Sequence, residues 1–135
     1  MKVNVYTDGG ARGNPGPAAY GFVIYRDKNK VLARGEYIGV TTNNVAEYTA
    51  VAKALESLLT FSDCDEVNIF LDSELIQKQM MGEYKVKSMS LKNFFTLIKE
   101  LEKNFNKVTY THIRREKNTE ADLLVNIALD KELQK

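Results

Sequence analysis

The chain has 135 residues, 19 of them basic and 18 acidic, for a formal net charge of +1; 44% of it is hydrophobic and 27% charged. This length suits one domain, residues 1–135, with a core that needs no disulfide framework, and the composition is that of a globular protein rather than a disordered one. The near balance of charge excludes a global field that would advertise nucleic acid, so charge has to be judged locally.

The single cysteine, Cys64, stands between Asp63 and Asp65. A lone thiol makes no internal disulfide, so a reducing, cytoplasmic setting is expected, with Cys64 an idle surface thiol in a polar link. The sequence opens without a basic-then-apolar leader pattern, and no apolar run has the length to span a bilayer; a monomer with no membrane partner is expected.

In chain order, VNVYTD at residues 3–8 is short, β-branched and aromatic, and predicts a strand. The stretch 9–17, GGARGNPGP, reads as turn throughout, because Pro15 and Pro17 oppose regular pairing. Residues 19–26 and 31–40 predict two strands joined by the polar DKNK turn, a hairpin. From Asn44 the apolar period becomes that of a helix, with Tyr48, Val51, Ala52, Leu55, Leu58 and Leu59 on one face, ending near Thr60. VNIFLD at 67–72 predicts another strand, followed by a short helix over 74–81 with Ser73 as N-cap.

The GEYKVKSMS stretch at 82–90 breaks the period, and a helix carrying Leu91, Phe94, Phe95, Ile98, Leu101 and Phe105 follows. Residues 107–113 alternate as a strand. A final helix begins near Asn118, a plausible N-cap, with Ala121, Leu124, Val125, Ala128 and Leu129 facing inward and Lys131 near its end.

VNVYTD and VNIFLD form a short repeat, and each closes on an aspartate. If the two strands lie side by side and run parallel, Asp8 and Asp72 meet at one end of the sheet, where open α/β folds place their ligands. Two converging carboxylates repel, and a divalent cation with oxygen ligands is the simplest compensation. Glu47, expected in the first turn of its helix, and Asp122, in the first turn of the last helix, border the buried faces of those helices. Taken singly, each acid reads as a solvated partner of a helix dipole; together the four suggest a site.

The segments TDGGARGNPGPAAYG, TTNNVAEY, LDSELI and REKNTEADLLVNIALD resemble, in order and spacing, the four motifs of the type 1 ribonuclease H family. The resemblance covers essentially the whole chain. It implies an α/β fold, a five-stranded mixed sheet flanked by helices on both faces, and a metal-dependent endoribonuclease that cuts the RNA strand of RNA–DNA hybrids. By position, Asp8, Glu47, Asp72 and Asp122 are the implied metal ligands and catalytic acids. They would hold two Mg²⁺ or Mn²⁺ ions and leave 3′-hydroxyl and 5′-phosphate ends. The residue types agree with that chemistry: a metal pair acidifies the attacking water and stabilises the leaving oxygen, and Mg²⁺ favours carboxylates over His or Cys.

Asn14, Asn43 and Asn44 offer amide groups suited to sugar and base edges, and Gly9 and Gly10 suit close approach of a nucleic-acid backbone. Thr42 resembles the family's phosphate-holding threonine, and Ser73, beside Asp72, is counted among the substrate contacts. In turns, Asn and Gly also serve geometry alone.

Two departures from the family stand out. Where many members carry a basic, tryptophan-bearing handle, this chain has GEYKVKS, with Lys85, Lys87 and nearby Lys92, and no tryptophan at all. A modest, salt-dependent affinity is expected. The loop before the last helix also lacks the family's mobile histidine. The sole histidine, His112, lies in a strand and reads as a hydrogen-bonded structural residue, so Arg115 is the candidate to meet substrate charge. A duplex-binding module and a related exonuclease or resolvase remain as alternatives, and double-stranded RNA as a second substrate stays open. Asp8 is followed by two glycines rather than by the Asp-x-Glu pattern of such exonucleases, and no GxxxxGK[ST] or GxGxxG motif is present.

Overall fold

A computed structural model of the protein describes residues 1–134. The elements run β1 (Lys2–Ala11), β2 (Gly16–Arg26), β3 (Asn29–Thr41), α1 (Asn43–Leu58), β4 (Glu66–Leu71), α2 (Glu74–Met80), α3 (Met89–Glu102), β5 (Lys107–His112) and α4 (Thr119–Leu133), with a 3-10 turn at Arg115–Lys117. They build a five-stranded mixed sheet in the order β3-β2-β1-β4-β5. The first three strands are an antiparallel meander, and β4 and β5 run parallel to β1. Parallel neighbours need crossovers, which α1 and the α2–α3 pair supply.

The sequence repeat is also a structural one. Val3 pairs with Val67, Asn4 with Asn68, Val5 with Ile69 and Tyr6 with Phe70, so the two Val-Asn runs lie in register on adjacent strands. Side chains alternate across a strand, so Val3, Val5, Val67 and Ile69 all point to one face and are almost fully buried there. That face receives α1, whose Tyr48, Val51, Leu55 and Leu58 are inaccessible to solvent. Truncating one of these leucines to Ala would cost about 2–5 kcal/mol.

The opposite face receives α4 through Ala121, Val125 and Leu129. The approach is close because β2 offers a glycine: a Cβ on Gly21 would lie 2.7 Å from the carbonyl oxygen of Ala121. Leu124, half-buried, rests over the same strand.

Several expectations change. The turn expected over 9–17 shrinks to four residues between β1 and β2, because Gly9, Gly10 and Ala11 continue the ladder opposite Tyr20, Ala19 and Ala18. Pro17 sits inside β2 and pairs with Val40, while its carbonyl accepts from Arg12 N–H across the turn; proline lacks only the donor. The DKNK hairpin closes on the Arg26–Asn29 pair, leaving a loop of Asp27 and Lys28, with Asp27 at φ 56°. Leu59 is not on the buried face of α1; it caps the C-terminus and is 48% exposed. Phe105 lies beyond α3 and packs on the core from the following turn. Cys64 is buried in the core rather than idle at the surface, and burial pushes its thiol pKa up. Among the described residues, no helix is long and apolar enough to cross a membrane.

Candidate metal centre

Asp8 lies within β1 and Asp72 directly follows the last residue of β4, so the in-register parallel pairing carries both carboxylates to the same edge of the sheet. Glu47 joins them from α1. Because that helix starts at Asn43, Glu47 falls in its second turn, not its first. What brings it close is Gly9: a Cβ there would lie 2.3 Å from the backbone carbon of Ala46 and 2.4 Å from Glu47 N. Glycine lets the β1 and α1 backbones touch, and the carboxylates of Asp8 and Glu47 become neighbours.

Asp8, Glu47 and Asp72 each offer a carboxylate oxygen, and these three oxygens all lie within 4.8 Å of one another. Asp122 stands outside that trio, in the first turn of α4, and lines the same cleft of about 490 Å³. An all-oxygen donor set of converging carboxylates fits a hard divalent cation.

Crowding is legible in the electrostatics. Burial, then the charges of Asp72, Glu47 and Asp122, raise Asp8 to about 8, against a smaller lowering by the Gly9 N–H. Burial and then Asp72 raise Glu47 to about 8 as well, partly offset by a hydrogen bond from the Ser73 hydroxyl. Without a cation, the cluster therefore retains protons at neutral pH.

Ser73 also accepts from Ile76 N–H at 3.3 Å and caps α2. Thr42 is the N-cap of α1, its Oγ1 accepting from Val45 N–H. Asn43 Oδ1 accepts from Ala11 N–H at 2.7 Å, and Asn14 Oδ1 accepts from Asn43 N–H at 3.1 Å. The carbonyl ends of both amides thus fasten the β1–β2 turn to the start of α1. Asn44 follows in the first turn of that helix. Gly10 borders the cleft, where an added Cβ would meet only Val125 Cγ1 at 3.8 Å and Asn43 Oδ1 at 4.0 Å.

Arg115 lines the cleft too, with its guanidinium 4.0 Å from Asp122 and its side chain 82% exposed. His112 is exposed at the end of β5, and its ring makes no hydrogen bond among the described residues, so the expected structural bond is not formed. Lys85 and Lys87 line a separate groove with Leu75, Tyr84 and Leu91, and Lys92 a neighbouring one.

Two residues at the site escaped sequence reasoning. Arg12 borders the cleft and is held by Asp130 at 2.6 Å and by Asn126. Asn118 occupies the N-cap position of α4 but makes no side-chain cap bond; its Nδ2 donates to Thr7 O and to Asp72 instead. An asparagine before a helix reads as a cap, and nothing local distinguishes one whose amide is used elsewhere.

A five-stranded mixed sheet of this topology, with an acid cluster that fits a divalent cation at one end of its parallel strands, defines an α/β fold with a candidate metal centre. The RNase H family model matches residues 1–130, and the chain belongs to the RNase H family, type 1, whose members are metal-dependent. Ribonuclease HI of Halobacterium salinarum is 39% identical over 130 residues, covering 96% of this chain and 65% of that protein. A bifunctional protein of Mycobacterium tuberculosis is 40% identical over 132 residues, covering 96% of this chain but 36% of its own length. The chain thus spans between about one third and two thirds of these curated relatives. Among solved structures, LC11-RNase H1 in complex with an RNA/DNA hybrid superposes with a TM-score of 0.93 at 50% identity, covering 97% of this chain and 99% of that one. RNase H1 from Halobacterium salinarum superposes at 0.92 and 39% identity, with 97% and 99% coverage.

Proposed function

We propose that this chain is an endoribonuclease that hydrolyses the RNA strand of RNA–DNA hybrids, leaving 3′-hydroxyl and 5′-phosphate ends. The observation that carries the reading is the convergence of Asp8, Glu47 and Asp72 within 4.8 Å at the edge of the sheet, with Asp122 in the same cleft. A pure duplex-binding module has no use for clustered negative charge facing phosphates. The hybrid held by a 50% identical structural neighbour supports the choice of substrate.

In this reading the four acids would hold two Mg²⁺ or Mn²⁺ ions, and the chemistry such a pair would supply is a more acidic attacking water and a stabilised leaving oxygen. Ser73 keeps Glu47 oriented and eases its ionisation. Thr42 retains its hydroxyl proton to give to a phosphate oxygen, and Asn14 and Asn43 retain amide donors for the sugar and base edges, because only their acceptor ends are used within the protein. Gly10 keeps the floor of the cleft free of a side chain. Arg115 offsets charge at the rim; it cannot shuttle protons, since guanidinium stays charged.

The test is metal-dependent cleavage of four matched duplexes: hybrid, double-stranded RNA, double-stranded DNA, and DNA containing one ribonucleotide. Internal cutting of the hybrid with the all-DNA duplex intact is expected. Efficient cutting of plain DNA, or release of single nucleotides only from an end, overturns the proposal.

A further inference from the structure

We propose that Asn118 is a positioning residue for the metal centre, orienting the Asp72 carboxylate through its side-chain amide and seating Asp122 through its backbone. The inference rests on the metal-centre reading above and concerns what holds the acids at their spacing.

Asn118 is 1% exposed. Its Nδ2 donates to Thr7 O, the carbonyl of the residue before Asp8, at 2.8 Å, and to Asp72 Oδ2 at 3.2 Å. Its backbone N–H donates to Arg115 O at 2.9 Å, and its carbonyl accepts from Asp122 N–H at 3.1 Å. One buried residue is therefore bonded to Asp72, to the backbone of Asp122 and Arg115, and to the strand residue preceding Asp8.

The same side chain forgoes the usual task of an asparagine in its position. An N-cap asparagine turns its carbonyl oxygen to the free N–H groups of the first helical turn; here no such bond forms, and Oδ1 is buried without a partner. The amide is thus turned to use both donors, even at the expense of its acceptor. A donor fixed on one carboxylate oxygen restrains the ligand's rotation and leaves the other oxygen for a cation, the usual part of a group standing behind a metal ligand. A leucine in this place is close in size but removes both donors and adds no charge.

The experiment is calorimetric titration of the folded chain with Mn²⁺ and with Mg²⁺, without nucleic acid, for wild type, Asn118→Ala and Asn118→Leu. Metal affinity about 10–100-fold weaker is expected in both variants, with kcat on the hybrid reduced and KM for the hybrid held within about twofold. Wild-type metal affinity in both variants overturns the proposal and leaves Asn118 a packing residue. Should the wild-type chain itself bind neither ion, the metal-centre reading fails and this inference falls with it. A measurement without variants guards against misfolding: in labelled wild-type protein, the Asn118 side-chain amide resonances should shift during Mg²⁺ titration together with the Asp72 carboxyl carbon. Amide resonances that stay fixed while that carbon shifts also overturn it.

Discussion

Asn4 and Asn68 stand opposite each other on adjacent parallel strands, and Asn68 Nδ2 donates to Asn4 Oδ1 at 3.1 Å. Thr109 on β5 extends the ladder by donating to Asn68 Oδ1 at 2.6 Å. This polar row crosses the three parallel strands on the sheet face opposite the valine core, one Tyr6–Phe70 step before the acids. Because the row is only part-buried, Asn68→Ala should cost about 1 kcal/mol in urea unfolding. The register should survive, since the buried valines also set it, and Mg²⁺ affinity should change little.

The acids themselves give a sharper test. Asp8→Asn and Asp72→Asn remove a ligand's charge while keeping its size, so hybrid cleavage should fall by orders of magnitude while circular dichroism stays native. For Asp8→Asn, metal-free stability at pH 8 should rise, because a buried carboxylate surrounded by three others is destabilised when ionised. Near-wild-type cleavage by either variant would mean the site lies elsewhere.

A pH dependence follows from the raised values of Asp8 and Glu47. Both sit at about 8 in the folded chain, against about 4 in an unfolded one. Between those values the native state binds more protons than the unfolded state at these two acids, so their contribution to the stability of the metal-free protein should be constant below about pH 4 and fall as pH rises towards 8. Mg²⁺ should reverse the trend, raising Tm most at the alkaline end and releasing protons as it binds. Thermal melts from pH 5 to 9, with chelator and with Mg²⁺, measure both slopes; a metal-free Tm that climbs over this range contradicts the assignment.

Arg115 lines the cleft with its guanidinium 4.0 Å from Asp122. If its guanidinium stabilises charge at the scissile phosphate, Arg115→Ala should lower kcat far more than it raises KM, while Arg114→Ala and His112→Ala do much less. An arginine that only grips the backbone would weaken binding with kcat preserved. Loss of turnover in His112→Ala would move the assignment from Arg115 to the histidine.

Gly9 is the position where fold and site are hardest to separate. Gly9→Ala places a methyl group 2.3 Å from the Ala46 backbone, which forces β1 and α1 apart. Both stability and metal affinity should fall, the first by about 1–3 kcal/mol, as for overpacking. Chemical denaturation and metal titration of the same sample would show whether the two losses occur together.

Much of the fold is carried by local pattern. Alternating β-branched runs mark β1 and β4, a helical period marks α1, and the repeated Val-Asn pair anticipates the parallel register that brings Asp8 and Asp72 together. The four acids are legible for the same reason: each lies at or near the end of an element whose period is clear, and the four motifs preserve their order. Other features depend on neighbours distant in sequence. Hydrogen bonds through Gly9–Ala11 and around Pro17 extend strands that turn chemistry alone would have stopped. Leu59 and Cys64 exchange their expected exposures because the end of α1 and the link after it are placed by packing rather than by periodicity. Asn118 reaches a partner 111 positions away in Thr7 and another 46 positions away in Asp72. Sequence periodicity reports which face of an element is apolar, whereas the direction of a buried amide is settled only when β1, β4 and α4 have packed around it and left its two donors these acceptors.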